Sequence, residues 1–349
     1  MSGRTLLWGS LVLAPVTVLV DVLTGAGEVS LFVLAASSLI PLAWLIGEST
    51  EHAAEHTGPG IGGFLNASFG NAPELIVALF AVGANLPDVV RGSLSGSVIS
   101  NLLLVYGVTQ WVGPDRAPID RRSLLLQIGL VGAAVVAFVL PATLGYTGDP
   151  ERHAVVVASV PVAIVLLLLY VGVVGWNLRV HHEHAREREQ PGEGTWSLTT
   201  ALLALAVATG ATAWVSEILV HSLGAFADAV GLSEFFVAVV IVAIVGNAAE
   251  HGGSIVIAHN GKMRLATEIA ISSGAQVALL VVPVVTLASL LFTHPLALSF
   301  RWTELFAMGG AAVVVAATVW DGHSRRLEGK LMVVAYAAAV VGFLLGGGR

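Results

Sequence analysis

Apolar stretches of about 17–25 residues recur along the whole chain, and each is long enough to cross a bilayer as a helix. We count eleven in the 349 residues, near 5–23, 29–49, 61–84, 89–112, 122–143, 153–177, 197–222, 233–258, 264–291, 296–319 and 329–346. Only 11% of the residues are charged, whereas an ordinary soluble domain is about a quarter charged. The sequence therefore predicts an all-α integral membrane protein of about eleven transmembrane helices, with the lipid bilayer as its surroundings.

The distribution of Lys and Arg predicts the orientation of these helices. If the N-terminus is cytoplasmic, twelve of the sixteen basic residues fall on the cytoplasmic side and four outside. Because basic residues accumulate on the inside, we expect a cytoplasmic N-terminus and an external C-terminus. The first apolar run follows Arg4 but lacks a clean cleavage site, so we expect it to be retained as a helix. The absence of an organelle signal favours a prokaryotic plasma membrane.

A polar, charged segment divides the chain into two halves. We expect an extra N-terminal helix at 1–26, a first repeat at 27–178, a cytoplasmic linker at 179–196 and a second repeat at 197–349. The linker is rich in His and Glu and is broken by Pro and Gly. A solvated connector explains this composition, and a regulatory cation site is the alternative.

The two halves carry matching motifs in the same order. Residues 70–74 read Gly-Asn-Ala-Pro-Glu, and residues 246–250, 176 positions later, read Gly-Asn-Ala-Ala-Glu. Similar residues flank both motifs one span before and one span after. Each repeat has five spans, and an odd number inverts the second copy relative to the first. Inverted repeats with a site near the membrane midplane, reached by alternating access, are typical of secondary transporters.

The two motif glutamates, Glu74 and Glu250, are the main candidates for a transport site. A carboxylate within an apolar span costs several kcal/mol unless it is paired, hydrated or protonated. Pro73 lacks an N–H group, and Gly70 and Gly246 permit local unwinding, so backbone carbonyls should be freed nearby. Carboxylates, carbonyls and water suit Ca²⁺, and suit Mg²⁺ less well.

The same pair of glutamates can couple cation transport to protons. Two carboxylates close together in a low-dielectric site cannot both remain ionised without a cation, so at least one of them binds a proton. Binding of Ca²⁺ reverses this balance and expels protons. Competition of Ca²⁺ and H⁺ for one site, on a protein that alternates access, gives antiport.

The motifs resemble the two signature repeats of the Ca²⁺/H⁺ exchangers, a branch of the cation/Ca²⁺ antiporter superfamily. The stretches 45–51, 96–104 and 271–279 also resemble this family. The resemblance implies a protein that exports cytosolic Ca²⁺ in exchange for protons, with Glu74 and Glu250 as central Ca²⁺ ligands. It implies further that the backbone around four residues completes the site, namely Gly70, Asn71, Gly246 and Asn247.

Two features depart from the family pattern. Pro73 stands where this branch has a small aliphatic residue, and proline there resembles the Na⁺-coupled branch. Na⁺-coupled relatives, however, carry hydroxyl residues where Asn71 and Asn247 stand, so we expect proton coupling and keep Na⁺ coupling as the alternative. The linker is also short and His-rich, whereas an acidic helix is common there in the family.

Other polar residues of the spans are candidates for a proton relay or a cavity lining. Glu48 and Glu51 lie on one helix face, and a hydrated helix end is the alternative for Glu51. Glu217 could be the matching relay. His251 could tune the site or pair with Glu48 or Glu217, and a satisfied buried histidine is the alternative. Four residues could line the cavity or bond helix to helix, namely Ser97, Asn101, Ser273 and Gln276.

Several other functions fit the sequence poorly. The chain has no Cys, which excludes disulfides and thiolate metal sites. A nucleic-acid partner would need a basic patch, which is missing. A channel would use similar acidic residues, but inverted repeats favour a transporter. A membrane metalloenzyme would need a third ligand at helical spacing. We therefore expect no enzyme and no resident cofactor, with Ca²⁺ and H⁺ as transported ions, and a homo-oligomer stays open.

Overall fold

The structure is a computed structural model that describes residues 3–146, 148–182 and 196–346. The α-helices are α1 (Gly3–Ser10), α2 (Leu13–Thr24), α3 (Glu28–Phe69), α4 (Ala72–Gly83), α5 (Pro87–Ile99), α6 (Tyr106–Val112), α7 (Arg121–Tyr146), α8 (His153–His182), α9 (Leu198–Val230), α10 (Glu234–Phe236), α11 (Ala243–Gly246), α12 (Ala248–His259), α13 (Met263–Gln276), α14 (Val282–Ser289), α15 (Trp302–Val319) and α16 (Arg326–Gly346). Three π-helical stretches are π1 (Ser100–Val105), π2 (Val237–Val242) and π3 (Val277–Val281). Two short strands, β1 (Ala117–Pro118) and β2 (His323–Ser324), pair antiparallel between loops.

The helices confirm the predicted class of protein. Nine helical segments in the described ranges are long and apolar enough to cross a membrane. The stretch from α10 to α12 makes a tenth if its 57° bend at Asn247 is counted within one broken span. The apolar helix α4, with 12 residues, is shorter than that length. The chain is thus an all-α membrane protein, and its nine or ten helices of spanning length in the described ranges agree roughly with the eleven predicted.

The predicted boundary between the second and third spans is wrong. The sequence placed these spans at 29–49 and 61–84, but the backbone is helical through the polar residues between them and first breaks at Gly70 and Asn71. An apolar run ends where polarity begins, whereas a helix ends only where its backbone bonding fails. The 42 residues of α3 would extend about 63 Å, roughly twice the hydrocarbon thickness, so α3 is longer than a single span needs.

The tenth span starts at Trp302 rather than at the predicted residue 296. Residues 296–301 are not helical, although most of their side chains are buried. Side chains satisfy their backbone N–H groups instead: Glu151 accepts from Ala297 at 2.9 Å, and Ser159 accepts from Leu298 at 2.9 Å. The apolar run was therefore predicted as helix, although it is a buried, non-helical segment that hydrogen bonds from distant residues hold in place.

The fourth and ninth spans form the centre of the molecule. In the most apolar window of residues 87–112, 94% of the residues are buried, and in that of 263–289, 72% are, whereas the first span has only 11%. Close packing depends on Gly96 of α5, where a Cβ atom would overlap the carbonyl oxygen of Val239 in π2. The backbones of the two halves therefore touch at the middle of the protein.

The predicted division into repeats stays a prediction. Helix α8 continues to His182, so the first residues of the predicted linker are helical. The remainder of that linker, up to residue 195, lies outside the described residues, and so does most of its His/Glu cluster. The long helices α3 and α9, which begin the two proposed repeats, pack along each other.

Candidate functional site

Both signature motifs form breaks between two half-helices. Asn71 separates α3 from α4 with φ −100° and ψ 16°, and Asn247 separates α11 from α12 with φ −91° and ψ 7°. Each of these asparagine carbonyls then accepts the first backbone bond of the next helix, from Leu75 at 3.1 Å and from His251 at 3.0 Å. The two breaks therefore have the same local geometry, although only the first contains a proline.

Glu74 and Glu250 occupy equivalent places after these breaks. Each is the third residue of its half-helix, α4 or α12, where the helix dipole favours a negative charge. Glu74 is buried and Glu250 is partly buried. The Oε2 atom of each has no hydrogen-bond partner among the described residues. The sequence predicted the pair, and the fold places Glu74 against Gly246, in the motif that also contains Glu250.

Side-chain amides tie each break to the opposite half of the chain. The Asn71 amide donates to Gln276 Oε1 at 2.7 Å, and the Asn101 amide donates to Asn247 Oδ1 at 3.0 Å. Gln276 ends α13, and Asn101 lies at the start of π1. In both bonds, the asparagine of one motif is paired with an amide side chain from the other half of the chain. Asn101 lies within π1, and Gln276 directly precedes π3. Such π-helical stretches are frequent at functional sites.

Two serines extend this network toward the glutamates. Asn247 donates from its amide to Ser97 Oγ at 2.8 Å, and Ser273 Oγ lies 3.5 Å from Asn247 Oδ1. Ser273 is also within hydrogen-bonding reach of the Glu250 carboxylate. All four cavity candidates from the sequence thus lie at the breaks, bonded between helices.

The Glu74 side chain reaches across to the second motif. A Cβ atom at Gly246 would lie 3.4 Å from Cγ of Glu74, so the absence of a side chain at Gly246 makes room for this carboxylate. A small cavity beside Glu74 is bordered by Gly246 on this side and by α5 on the other. The glycine of one motif therefore packs against the glutamate of the other.

The proposed relay residues are dispersed rather than joined to the pair. Glu48 is partly buried, and one of its carboxylate oxygens lies 3.6 Å from His52, which stacks on Trp196. Glu51 is exposed. His251 is buried, and its Nε2 has no partner among the described residues, so the suggested pairing with Glu48 or Glu217 is not seen.

Glu217 lies apart from the two breaks. It is exposed on α9 and borders a wider pocket together with Asp21, Glu28 and His221. His221 contacts the backbone oxygen of Glu217 at 2.9 Å instead of its carboxylate. The structure thus supplies no direct link from Glu217 to Glu74 or Glu250.

Sequence reasoning missed a buried ionic cluster near the start of α5. Arg91 is buried and donates to Glu151, to Ser299 Oγ at 2.8 Å and to Asp88 Oδ1 at 2.8 Å. Glu304 is fully buried and accepts from Ser95 Oγ at 2.6 Å. The signal was present, because an ionisable residue inside an apolar span is unusual in itself.

Ser93 was also missed, and it borders the cavity beside Glu74. Its position four residues before Ser97 places both hydroxyls on one face of α5, which the sequence shows. The polar face of α5 is therefore longer than the motif residues alone suggest.

The chemistry of the site is that of oxygen ligands. No group of three His, Cys, Asp or Glu side chains that could hold a metal ion occurs in the parts of the chain that the structure describes. Two carboxylates, surrounded by amide and hydroxyl oxygens, instead offer hard ligands to a hard cation.

Comparison with known protein sequences identifies one family and several similar proteins. The model of the sodium/calcium exchanger protein family matches residues 28–179 and 200–345. A protein of Bacillus subtilis named Ca²⁺/H⁺ antiporter ChaA is 38% identical over 325 residues, which cover 90% of this chain and 92% of that protein. A Ca²⁺/H⁺ antiporter of Synechocystis is 35% identical over 347 residues, covering 91% of this chain and 92% of its own.

Solved structures agree in fold. The structure of native YfkE matches with a TM-score of 0.83 and 34% identity, over 98% of this chain and 99% of that one. The crystal structure of the H⁺/Ca²⁺ exchanger CAX matches with a TM-score of 0.76, over 98% and 92% of the two chains, and at 14% identity it shows the fold alone. These matches confirm the resemblance that the two motifs indicated. The chain belongs to the sodium/calcium exchanger protein family.

Proposed function

We propose that this protein is a secondary active antiporter that exchanges Ca²⁺ for protons across a membrane. Its relatives of similar length at 35–38% identity are named Ca²⁺/H⁺ antiporters. The single observation in this chain that supports the exchange is the placement of Glu74 and Glu250. They stand at equivalent positions after two helix breaks, and Glu74 packs against Gly246 of the motif that contains Glu250.

The cation site consists of the two carboxylates with oxygens near the breaks. Glu74 Oε2 and Glu250 Oε2 remain without protein partners among the described residues, so both are available to a cation. Ca²⁺ takes six to eight oxygen ligands in flexible geometry, which suits a site that must load and unload. The backbone near Gly70, Asn71, Gly246 and Asn247 can supply further ligands. The amide bonds of Asn71 and Asn247 hold the breaks at a fixed spacing.

Proton coupling follows from the charge of this site. Two glutamates that approach each other away from bulk water repel, and a proton or a divalent cation removes this repulsion. Because either ion neutralises the same two groups, Ca²⁺ and H⁺ occupy the site alternately. The cell membrane of a prokaryote, a cytoplasmic N-terminus and export of cytosolic Ca²⁺ are the setting that we propose for this exchange.

Transport by purified protein tests this function. Proteoliposomes are loaded with acidic buffer and diluted into more alkaline buffer. Uptake of labelled Ca²⁺ is then followed with and without Na⁺. We expect a pH gradient to drive Ca²⁺ uptake without Na⁺, and a Na⁺ gradient alone to drive none. Uptake that needs a Na⁺ gradient would assign the protein to Na⁺ coupling. Passive flux that ignores both gradients would indicate a channel.

A further inference from the structure

A small cavity lies between Glu74 and α5. Its volume is about 10 Å³, which is close to the room that one water molecule needs. Glu74, Ser93 and Ser97 are its polar walls, and Val77, Leu94 and Val242 close the other sides. A space of this size with polar groups on one side accommodates a single small ligand rather than an organic molecule.

The hydroxyl groups of this cavity keep bonding capacity. Ser93 Oγ donates to the carbonyl of Val90 at 3.0 Å, which leaves its oxygen able to accept. Ser97 Oγ accepts from the Asn247 amide at 2.8 Å, which leaves its proton able to donate. With Glu74, three polar residues line the cavity, within the two to four partners that a buried water requires.

This feature belongs to only one half of the chain. Ser97 has its counterpart 176 positions later in Ser273, but the position equivalent to Ser93 is Ile269. Ser93 is therefore an addition to one side of the site, and the inverted repeat does not require it. The Ser93 hydroxyl is buried and its donation to Val90 satisfies it, so its remaining acceptor capacity is available to the cavity.

We propose that Ser93, together with Ser97, holds a water molecule that completes the shell of the transported cation at Glu74. This inference rests on the proposed Ca²⁺ site. Two carboxylates provide at most four of the six to eight oxygens that Ca²⁺ takes. The side-chain oxygen of Asn247 already accepts from the Asn101 amide. A water anchored by two serines supplies an oxygen at this side, which makes Ser93 a positioning residue for the cation.

The test is the Ca²⁺ concentration that half-saturates proton-driven uptake in proteoliposomes. Ser93→Ala removes the anchor, and we expect the half-saturating concentration to rise about 3- to 10-fold, the effect of one lost hydrogen bond, with the maximal rate nearly unchanged. Ser93→Thr restores the hydroxyl and should match the wild type. Ser222→Ala is the matched control, because Ser222 is also buried and bonded to a carbonyl of its own helix, but lies outside this cavity.

A second variant guards against a folding defect. Ser93→Cys keeps nearly the same volume but is a weak hydrogen-bond partner, and we expect it to raise the half-saturating concentration as Ser93→Ala does. Unchanged half-saturation in both variants, or equal defects in Ser93→Thr and Ser93→Ala, would overturn the inference and leave the cavity a packing feature. Absence of proton-driven uptake by the wild type would instead contradict the proposed function.

Discussion

The side-chain amide of Asn71 donates to Gln276 Oε1 at 2.7 Å, although the two residues are 205 positions apart. A second bond of this kind runs from the Asn101 amide to Asn247 Oδ1. In each case, a residue of a helix break is held by the span of the other half. Contacts between the halves therefore set the spacing of the two glutamates. A substitution at one break should also alter the position of the other break.

A double-mutant cycle measures this contact. Asn71→Ala and Gln276→Ala each remove one side of a buried hydrogen bond, and we expect each to lower the free energy of unfolding by about 1–3 kcal/mol. The double variant should lose less than the sum, by about 0.5–1.5 kcal/mol, because the second change has no bond left to break. Thermal unfolding in detergent provides the measurement. The pair Asn71→Ala and Ser222→Ala, whose partners do not touch, should be additive, and additivity in the first pair would refute the coupling.

Neutralising either central glutamate should stop transport. Glu74→Gln and Glu250→Gln keep the shape of the side chain but remove a negative charge from the proposed cation site. Losing a charged partner in a buried site costs several kcal/mol, so we expect Ca²⁺ uptake to fall at least about 100-fold in each variant. Uptake is measured in proteoliposomes with a pH gradient. Asp228→Asn, an exposed carboxylate near the end of α9, is the control and should transport normally. Uptake retained in Glu74→Gln would remove Glu74 from the site.

The sequence predicted the number of spans and the central pair because both depend on local patterns. Apolar length reveals a span, and a carboxylate in such a span stands out from its surroundings. The end of α3 was missed because its polar residues 50–57 continue a helix that hydropathy alone cannot follow. Residues 296–301 were read as helix because the bonds from Glu151 and Ser159 that hold them extended come from far along the chain.

Contacts across the halves were visible only in part. The inverted repeat suggested that Ser97, Asn101, Ser273 and Gln276 face the glutamates, and all four lie at the breaks. Which amide bonds which partner could not be predicted, since a pattern gives the face of a helix but not the register between two helices. Two of the partners of Arg91, Glu151 and Ser299, lie on distant segments of the chain, so its burial could not be predicted either.

The contact between α5 and π2 makes a steric prediction. A methyl group at residue 96 would overlap the carbonyl oxygen of Val239, and backbone atoms cannot easily move away. We expect Gly96→Ala to prevent accumulation of folded protein or to destabilise it by several kcal/mol. Gly129→Ala is the matched control, because Gly129 also lies within a helix but has no neighbour within 4 Å of an added Cβ atom. It should be neutral or stabilising by about 0.5–1 kcal/mol. Size-exclusion profiles and thermal unfolding in detergent compare the two, and equal behaviour would contradict this packing.

The cluster around Arg91 should be structural and sensitive to geometry. Arg91→Ala leaves the carboxylate of Glu151 without its buried partner, and we expect a loss of about 3–5 kcal/mol in the free energy of unfolding. Arg91→Lys keeps the charge but cannot bond Asp88, Ser299 and Glu151 together, so it should recover only part of this loss. Arg325→Ala, which breaks a more exposed ion pair with Asp321, should cost less than about 1 kcal/mol. Equal costs for Arg91→Ala and Arg325→Ala would argue against a buried role.

Competition between the two ions gives a prediction about pH and stoichiometry. If Ca²⁺ and protons share Glu74 and Glu250, acid on the side that loads Ca²⁺ should raise the half-saturating Ca²⁺ concentration, because protons must leave before the metal binds. In the acidic range where the glutamates hold their protons, the rise should be about 100-fold per pH unit if both release a proton, and about 10-fold if only one does. The maximal rate at saturating Ca²⁺ should change much less. Initial rates of uptake over a series of pH values, at a fixed pH on the opposite side, measure the slope. A half-saturating concentration that does not depend on pH would show that the ions do not share these carboxylates.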